Sequence, residues 1–281
     1  MKHLVIILFP ALFLSLSCSK NQDPYDYENQ RTSYFKNIHE QVFADSILVC
    51  VTYNIQLGFN NNQDPWQKDV TGATEEQIQN IADLLMQIDP DIIALQEVPR
   101  NRYNAAIKDF LERLANKMNM NYAFGSHGFN DPYDVYPVHG EWGTALLTKY
   151  KILEISNIQV EYIDKWQKRS LLNAKIQLND STTINTISLH YLPSQQGIPN
   201  TTEYLKTLHD PVILMGDFNY TGEISDFKGI GLEDVDSTYE IHWIDRVFYA
   251  KKYFKVLEIG TLTDTIGVSD HVPNYGKLQL K

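Results

Sequence analysis

The sequence predicts a chain of the α/β class, of the α+β kind with much antiparallel pairing. Three observations carry that reading. Strand-like runs outnumber helical ones. Several follow one another through short turns, as in Trp142–Thr148, Ile152–Val160 and Leu171–Leu178, which leaves few βαβ units. Two amphipathic helical patterns fall between the early strands. With 281 residues, 43% of them hydrophobic, the chain can bury a large core. No Pro/Ser-rich linker, composition shift or repeat divides it, so one domain is expected over residues 46–281.

The N-terminus reads as a targeting segment. Lys2 and His3 precede the apolar run Leu4–Leu16, which is too short to span a bilayer well and fits a signal-peptide core. Cys18 follows it directly, as at a bacterial lipoprotein processing site, where the Cys becomes the lipidated first residue. Ser15 stands where a Leu is more usual, and ordinary signal cleavage nearby is the plainer alternative. The expectation is a signal peptide over 1–17 and a lipidated Cys18 with a polar tether over 18–45. The membrane would then be a partner through the anchor, on the bacterial cell envelope. Cys50, the only other cysteine, sits in an apolar run and is expected as a buried thiol.

The elements follow in order. Ser46–Ile55 is strand-like, with Asn54 at its end. Thr74 and Gln77 have capping-box spacing, and Ile78, Ile81, Ala82 and Leu85 continue at helical period up to Asp89-Pro90. Asp91–Leu95 is a buried strand with Gln96 and Glu97 at its end. Tyr103–Met118 is expected as a second helix, with Ile107, Phe110, Leu111 and Leu114 on one face. The three strands named above come next. Thr183–Leu189 is another strand, and His190 follows it. Glu203–His209 is expected as a short helix. Val212–Met215 is an unbroken apolar run, the pattern of a strand buried on both faces. Gly216 ends it, permitting a turn or a close backbone approach. Asp217 and Asn219 then stand two apart, on one side of extended chain. Trp243–Tyr249 alternates, placing Ile244, Arg246 and Phe248 on one face and Asp245 with Val247 on the other.

Polar residues thus gather at separate strand ends: Asn54, Glu97, His190, Asp217, Asn219, Asp245, and Asp270 with His271. Each has a bland reading taken alone, as turn former, strand cap or surface ion pair. Hard oxygen ligands such as Glu97 and Asp270 suit Mg²⁺. Two cysteines cannot make a thiolate zinc site. His190 and His271 could bind zinc, but beside carboxylates they serve acid/base chemistry equally well. The net charge of −11, with no Lys/Arg run beyond two residues, argues against nonspecific nucleic-acid binding through a broad basic face. It does not exclude a small anionic substrate held by a metal.

The set resembles the endonuclease/exonuclease/phosphatase superfamily, the deoxyribonuclease I-like proteins, from about Ile47 to Lys281. Thr52-Tyr53-Asn54, Gln96-Glu97-Val98, Ser188-Leu189-His190, Gly216-Asp217-Phe218-Asn219, Ile244–Phe248 and Ser269-Asp270-His271 occur in the family's order. The resemblance implies a four-layer α/β/β/α sandwich and a metal-dependent phosphoesterase using Mg²⁺, with Mn²⁺ or Ca²⁺ as alternatives. It implies Glu97 as main metal ligand with Asp270, and Asn54 and Asn219 on the metal shell or a phosphate oxygen. Asp217 would activate water. Asp245 would pair with His271, which would contact the phosphate or act as base. His190 would be general acid or phosphate ligand on the leaving-group side. Arg169 matches a phosphate-binding Arg more loosely, and Glu141 could support His190. Gln56 departs from the pattern, standing where apurinic-site endonucleases commonly carry an Asp ligand. His190 instead fits the deoxyribonuclease, sphingomyelinase and inositol-phosphatase branches. The expected substrate is a phosphodiester of nucleic acid or of a phospholipid or sphingolipid head group. A phosphomonoesterase on inositol or sugar phosphates, an idle binding module and a metal-free glycoside hydrolase are the alternatives. A monomer is expected, and no protein partner is inferred. The loops 59–72, 127–142 and 222–242 carry no readable signature.

Overall fold

The computed structural model describes residues 33–281, except 45, 66, 68, 103, 128–140, 164–167, 237–242 and 265. The expected signal peptide and Cys18 lie outside these residues, as do most of the 127–142 loop and the end of the 222–242 loop.

Two mixed sheets face each other, with helices outside. Among the described residues the first sheet has seven strands: β1 (Ser33–Lys36), β2 (Ile47–Asn54), β3 (Ile92–Arg100), β4 (Asn121–Ser126), β5 (Glu141–Thr148), β12 (Phe254–Thr261) and β13 (Asn274–Leu280). Their order is β1-β4-β5-β3-β2-β13-β12. The second has six: β6 (Lys151–Tyr162), β7 (Lys168–Gln177), β8 (Thr183–His190), β9 (Val212–Asp217), β10 (Leu232–Asp234) and β11 (Asp245–Ala250), in the order β10-β11-β9-β8-β7-β6. Each sheet has one parallel pair, β2 with β3 and β8 with β9, and is otherwise antiparallel. The layers are those the resemblance implied.

Alternation along the strands builds three apolar layers. Leu48, Ile92, Leu146, Leu172, Met215 and Val247 pack between the sheets. Val51, Ile93 and Leu147 face α1 (Glu75–Leu85) and α2 (Phe110–Met118). Leu171, Ile187, Leu214 and Phe248 face α3 (Gly197–Lys206) and α4 (Ser225–Gly229). Each fully buried aliphatic or aromatic side chain contributes about 1.5–3 kcal/mol. Cys50 is a buried free thiol between the sheets. Arg246 and Phe248 lie on the face opposite Asp245 and Val247, as the alternation predicts.

Several boundaries differ from expectation. The second helix starts at Phe110, because residues 105–107 pair with another loop: Ala106 and Ile107 donate to the carbonyls of Gly72 and Ala73. The third helix begins at Gly197, with Pro199 in its first turn, where a missing N–H costs nothing. Strand β11 begins at Asp245, with residues 243–244 leading into it. The 18–45 segment is not tether throughout. Tyr34 and Phe35 make β1 an edge strand against β4, packed on the helix-side and inter-sheet cores. Glu97 does not end its strand. Strand β3 continues to Arg100 through a bulge between Leu95 and Val98, with Glu97 at φ 54°.

Candidate active site

The two parallel pairs end together, and this gathers the polar tips. Asn54 lies beside Gln96 in one sheet, and His190 beside Asp217 in the other. A polar ladder joins the sheets beneath them. Gln96 Nε2 donates to Ser188 Oγ at 3.3 Å, and Ser188 Oγ donates to the Leu95 carbonyl at 3.1 Å. The bulge in β3 makes one residue extra. Gln96 then serves the ladder while the half-buried Glu97 reaches the site.

Asp217 Oδ2 is the focus. Asn54 Nδ2 donates to it at 3.2 Å, His190 Nε2 stands 3.5 Å away and His271 Nε2 3.9 Å away. Asn54 Nδ2 also reaches Glu97 Oε1 at 3.3 Å. Asp217 Oδ1 accepts the Asn219 N–H at 2.9 Å, and Asn219 Nδ2 donates to the Tyr191 carbonyl at 2.8 Å. Asn219, at φ 49°, thereby ties the tip of β9 to that of β8. Gly216 is required by close approach, since a Cβ there would lie 2.1 Å from the Leu189 carbonyl oxygen.

His271 Nδ1 bonds Asp245 Oδ2 at 2.7 Å. Asp245 is placed directly opposite Asp217 by the β11–β9 register, and Asn274 Nδ2 holds its carbonyl at 2.9 Å. The loop carrying Asp270 and His271 is pinned three ways. Ser269 Oγ donates to the Asn54 carbonyl at 2.8 Å. The Asp270 N–H donates to Gln56 Oε1 at 3.2 Å. Gln77 Nε2 donates to the Val268 carbonyl, so Gln77 leaves the capping box half made, with only its N–H on Thr74 Oγ1.

Burial shifts the charges. It lowers His190 well below the usual imidazole value, with Arg169, His127 and His271 adding to the effect, so His190 is neutral at pH 7. Burial would also lower His271. The hydrogen bond and charge of Asp245, with Asp217 and Asp270, outweigh it and lift His271 to about 9. Burial raises Asp217 against the opposing pull of His271 and the Asn219 N–H. It raises Asp245, opposed by the bond from His271. Glu97 is likewise raised by burial, opposed by Asn54 and pushed further by Asp270.

Arg169 reaches this site by leaning on Trp142, its guanidinium carbon 4.9 Å from the ring centroid; burial lowers it, opposed by the charges of Glu97, Glu161 and Asp217. Trp142 and His127 pack against the His190 ring at 6.0 and 6.2 Å between centroids. Glu141 does not support His190. It is the ion-pair partner of Arg100 across β3 and β5, and His190 Nδ1 has no hydrogen-bond partner among the described residues. Asp245 also does not pair with Arg246, which turns to the other face and binds Asp234 at 2.6 Å. Sequence reasoning passed over Trp142 and His127 as site residues, and Glu161. Two aromatic rings flanking a strand-end His gave no signal until β4 and β5 were placed beside β8.

The residues fit a divalent cation. Ligand atoms of Asp217, Asp245 and His271 lie within 4.8 Å of one another. Asp245 Oδ1 is buried without a hydrogen-bond partner among the described residues. The carboxylate oxygens of Asp217 and Asp245 are hard donors of the kind Mg²⁺ takes, as are those of Glu97 and Asp270.

The sequence profile of the Endonuclease/Exonuclease/phosphatase family matches residues 51–271. The chain belongs to the endonuclease/exonuclease/phosphatase family. Members of this family are hydrolases of phosphoester bonds that generally use a divalent metal. Solved structures of the family share the fold. That from Beutenbergia cavernae is 16% identical, covering 83% of this chain and 72% of that one at a TM-score of 0.65. That from Bacteroides thetaiotaomicron is 19% identical, covering 89% and 95% at 0.59. The human Nocturnin catalytic domain, in a structure with bound sulfate anion, is 17% identical, covering 90% and 97% at 0.59. Among curated proteins, none matches the chain by sequence.

Proposed function

We propose that the chain hydrolyses a phosphodiester, of nucleic acid or of a phospholipid or sphingolipid head group, by in-line attack of water with Mg²⁺ as the cation. The observation that carries this reading is the Asp217 carboxylate, faced by one amide and two imidazoles of opposite charge state. Asp217 orients the attacking water and takes its proton. His271, held charged by Asp245, places positive charge against a phosphate oxygen. His190 is neutral, and its Nε2 faces the reacting centre. Its Nε2–H donates a hydrogen bond to the departing oxygen, which then takes its proton from water. The proton transfer to Asp217 contributes roughly 10²–10⁴-fold. Arg169, whose buried Nε has no partner among the described residues, adds a donor and a charge for the phosphate. A cation held by Glu97 and Asp270 would neutralise the phosphate as charge builds on its oxygens. Asn54 would steady Glu97 and Asp217 together.

A phosphomonoester of inositol or a sugar is the second reading. The free donor on Arg169 and the charged His271 favour it, since a dianion takes two cationic partners. We also propose export and lipid anchoring at Cys18, supported by the apolar Leu4–Leu16 run that precedes it.

The test is hydrolysis by the soluble form from about Ser19, with Mg²⁺, Mn²⁺, Ca²⁺ or EDTA. The panel is bis-p-nitrophenyl phosphate, p-nitrophenyl phosphate, plasmid DNA, sphingomyelin and inositol phosphates, beside His271→Ala. Chelation-sensitive cleavage lost in the variant supports the reading, and the preferred substrate picks the branch. A folded protein that cleaves nothing would favour an idle binding module. Activity on sugars that survives EDTA would favour a glycosidase.

A further inference from the structure

We infer that Glu161 is a positioning residue for His190, acting through the backbone of the loop that follows it; the inference rests on the role of His190 proposed above. An imidazole at a reacting centre is usually oriented by a hydrogen bond to its second nitrogen. His190 Nδ1 has none among the described residues, and Glu141 is engaged with Arg100. The ring is held by contact with Trp142 and His127 and by where its backbone goes.

That backbone is clamped on both sides within two residues. The Tyr191 N–H donates to the Asp217 carbonyl at 2.9 Å, and the Tyr191 carbonyl accepts Asn219 Nδ2 at 2.8 Å. The next amide, Leu192 N–H, donates to Glu161 Oε2 at 2.7 Å. Glu161 Oε1 accepts the Gly197 N–H at 2.9 Å, at the first residue of α3. One carboxylate therefore closes both ends of the 192–197 loop. A carboxylate also suits the positive end of α3. The fit is close on every side: a Cβ on Gly197 would lie 2.7 Å from Glu161 Cγ and 2.6 Å from the Tyr191 ring.

The setting is unusual for an acid. Strand β6 is an edge strand, mostly half-buried or exposed, yet Glu161 is only 2% exposed. A bulge between Gln159 and Glu161 turns it inward, opposite Arg169 in the β6–β7 register. A buried carboxylate is retained at a cost. The three groups it touches or faces all lie at the candidate site or on the chain leaving it.

The experiment compares wild type, Glu161→Gln, Glu161→Asp, His190→Ala and the Glu161→Gln/His190→Ala double variant. The readouts are kcat and KM on bis-p-nitrophenyl phosphate with Mg²⁺, the His190 ring signals in metal-free protein by ¹H–¹³C correlation NMR, and Tm. An amide at 161 must turn an NH₂ toward one of the two N–H donors, so one clamp bond fails. Glu161→Gln is expected to lower kcat about ten- to hundredfold, as a misplacement of ~1 Å does, with KM little changed. The His190 signals move or broaden, and the substitution adds nothing on the His190→Ala background. Glu161→Asp, which keeps the charge, retains more activity and serves if the Gln variant does not fold. Unmoved His190 signals with wild-type kcat, or losses that simply multiply in the double variant, would overturn the inference. If His190→Ala alone leaves kcat unchanged, the hydrogen-bonding role of His190 fails instead, and the NMR shift still decides whether Glu161 positions the ring.

Discussion

Replacing Gly216 by Ala adds one methyl group at the junction of the two strands that carry His190 and Asp217. The added Cβ would lie 2.1 Å from the Leu189 carbonyl oxygen and 2.9 Å from its carbon. Ordinary contact begins at 3.4 Å, so about 1.3 Å must be made up. The obstacle is backbone on both sides, within a parallel pair whose next rung is His190 with Asp217. No side chain can rotate away, so the rung itself must open. Overpacking of this kind costs about 1–3 kcal/mol. At roughly 2–4 °C per kcal/mol for a domain near this size, Tm falls by several degrees. A displacement of ~1 Å between His190 and Asp217 lowers kcat about 10²-fold, a loss well beyond what the lower stability alone produces at 25 °C. The assay is hydrolysis of bis-p-nitrophenyl phosphate with Mg²⁺, beside a thermal melt. Gly229→Ala is the control, because nothing lies within 4 Å of a Cβ there. It should leave kcat unchanged and Tm equal or slightly higher. Wild-type kcat and Tm in Gly216→Ala would refute the reasoning that this close approach sets the site.

Three further outcomes follow from the same structure. Arg246→Met leaves Asp234 buried without its partner at 2.6 Å and should cost about 3–5 kcal/mol by denaturant unfolding, whereas Arg246→Met with Asp234→Leu should recover most of it. The metal-free protein should lose stability as pH rises above neutrality. His271 is raised to about 9, and Asp217, Asp245 and Glu97 are raised also. A group raised in the folded state contributes stability that is full below its unfolded value and is lost as pH climbs through its folded one. All four therefore act in one direction: the acids withdraw their contribution first and His271 last, near 9. His190, being lowered, acts in the opposite sense but only below the ordinary imidazole value, so melts from pH 7 to about 9 should show Tm falling, and saturating Mg²⁺ should raise Tm there by binding the ionised acids. Asp245→Asn should lower the His271 titration, followed by NMR in metal-free protein, and lower kcat, whereas an unmoved titration would mean that Asp245 does not hold the charge.

The strands were legible because most are apolar runs that end abruptly in a polar residue. Val212–Met215 ending at Asp217, and Thr183–Leu189 ending at His190, show where the core stops and the cleft begins. Strand β1 was not legible, since it lies in a polar stretch and gains its place only by pairing with β4. The helix expected from Tyr103 has the right apolar spacing at Ile107, but residues 105–107 find backbone partners in the 72–73 loop instead. The motif carboxylates and imidazoles were legible by type. Their division of labour was not, because Glu97 depends on a bulge and Glu161 on another, and a bulge has no sequence period. Glu141 illustrates the converse. Its place before a buried strand pointed to His190, and register placed it opposite Arg100.

The central claim is that Asp217, between a neutral His190 and a charged His271, activates water beside a metal-held phosphate. Bis-p-nitrophenyl phosphate hydrolysis by wild type and Asp217→Asn, each with Mg²⁺ and with EDTA, tests it most directly. The account predicts turnover in wild type that EDTA abolishes, and a loss of at least about 10²-fold in a folded Asp217→Asn. Turnover that survives both the chelator and the substitution would contradict it.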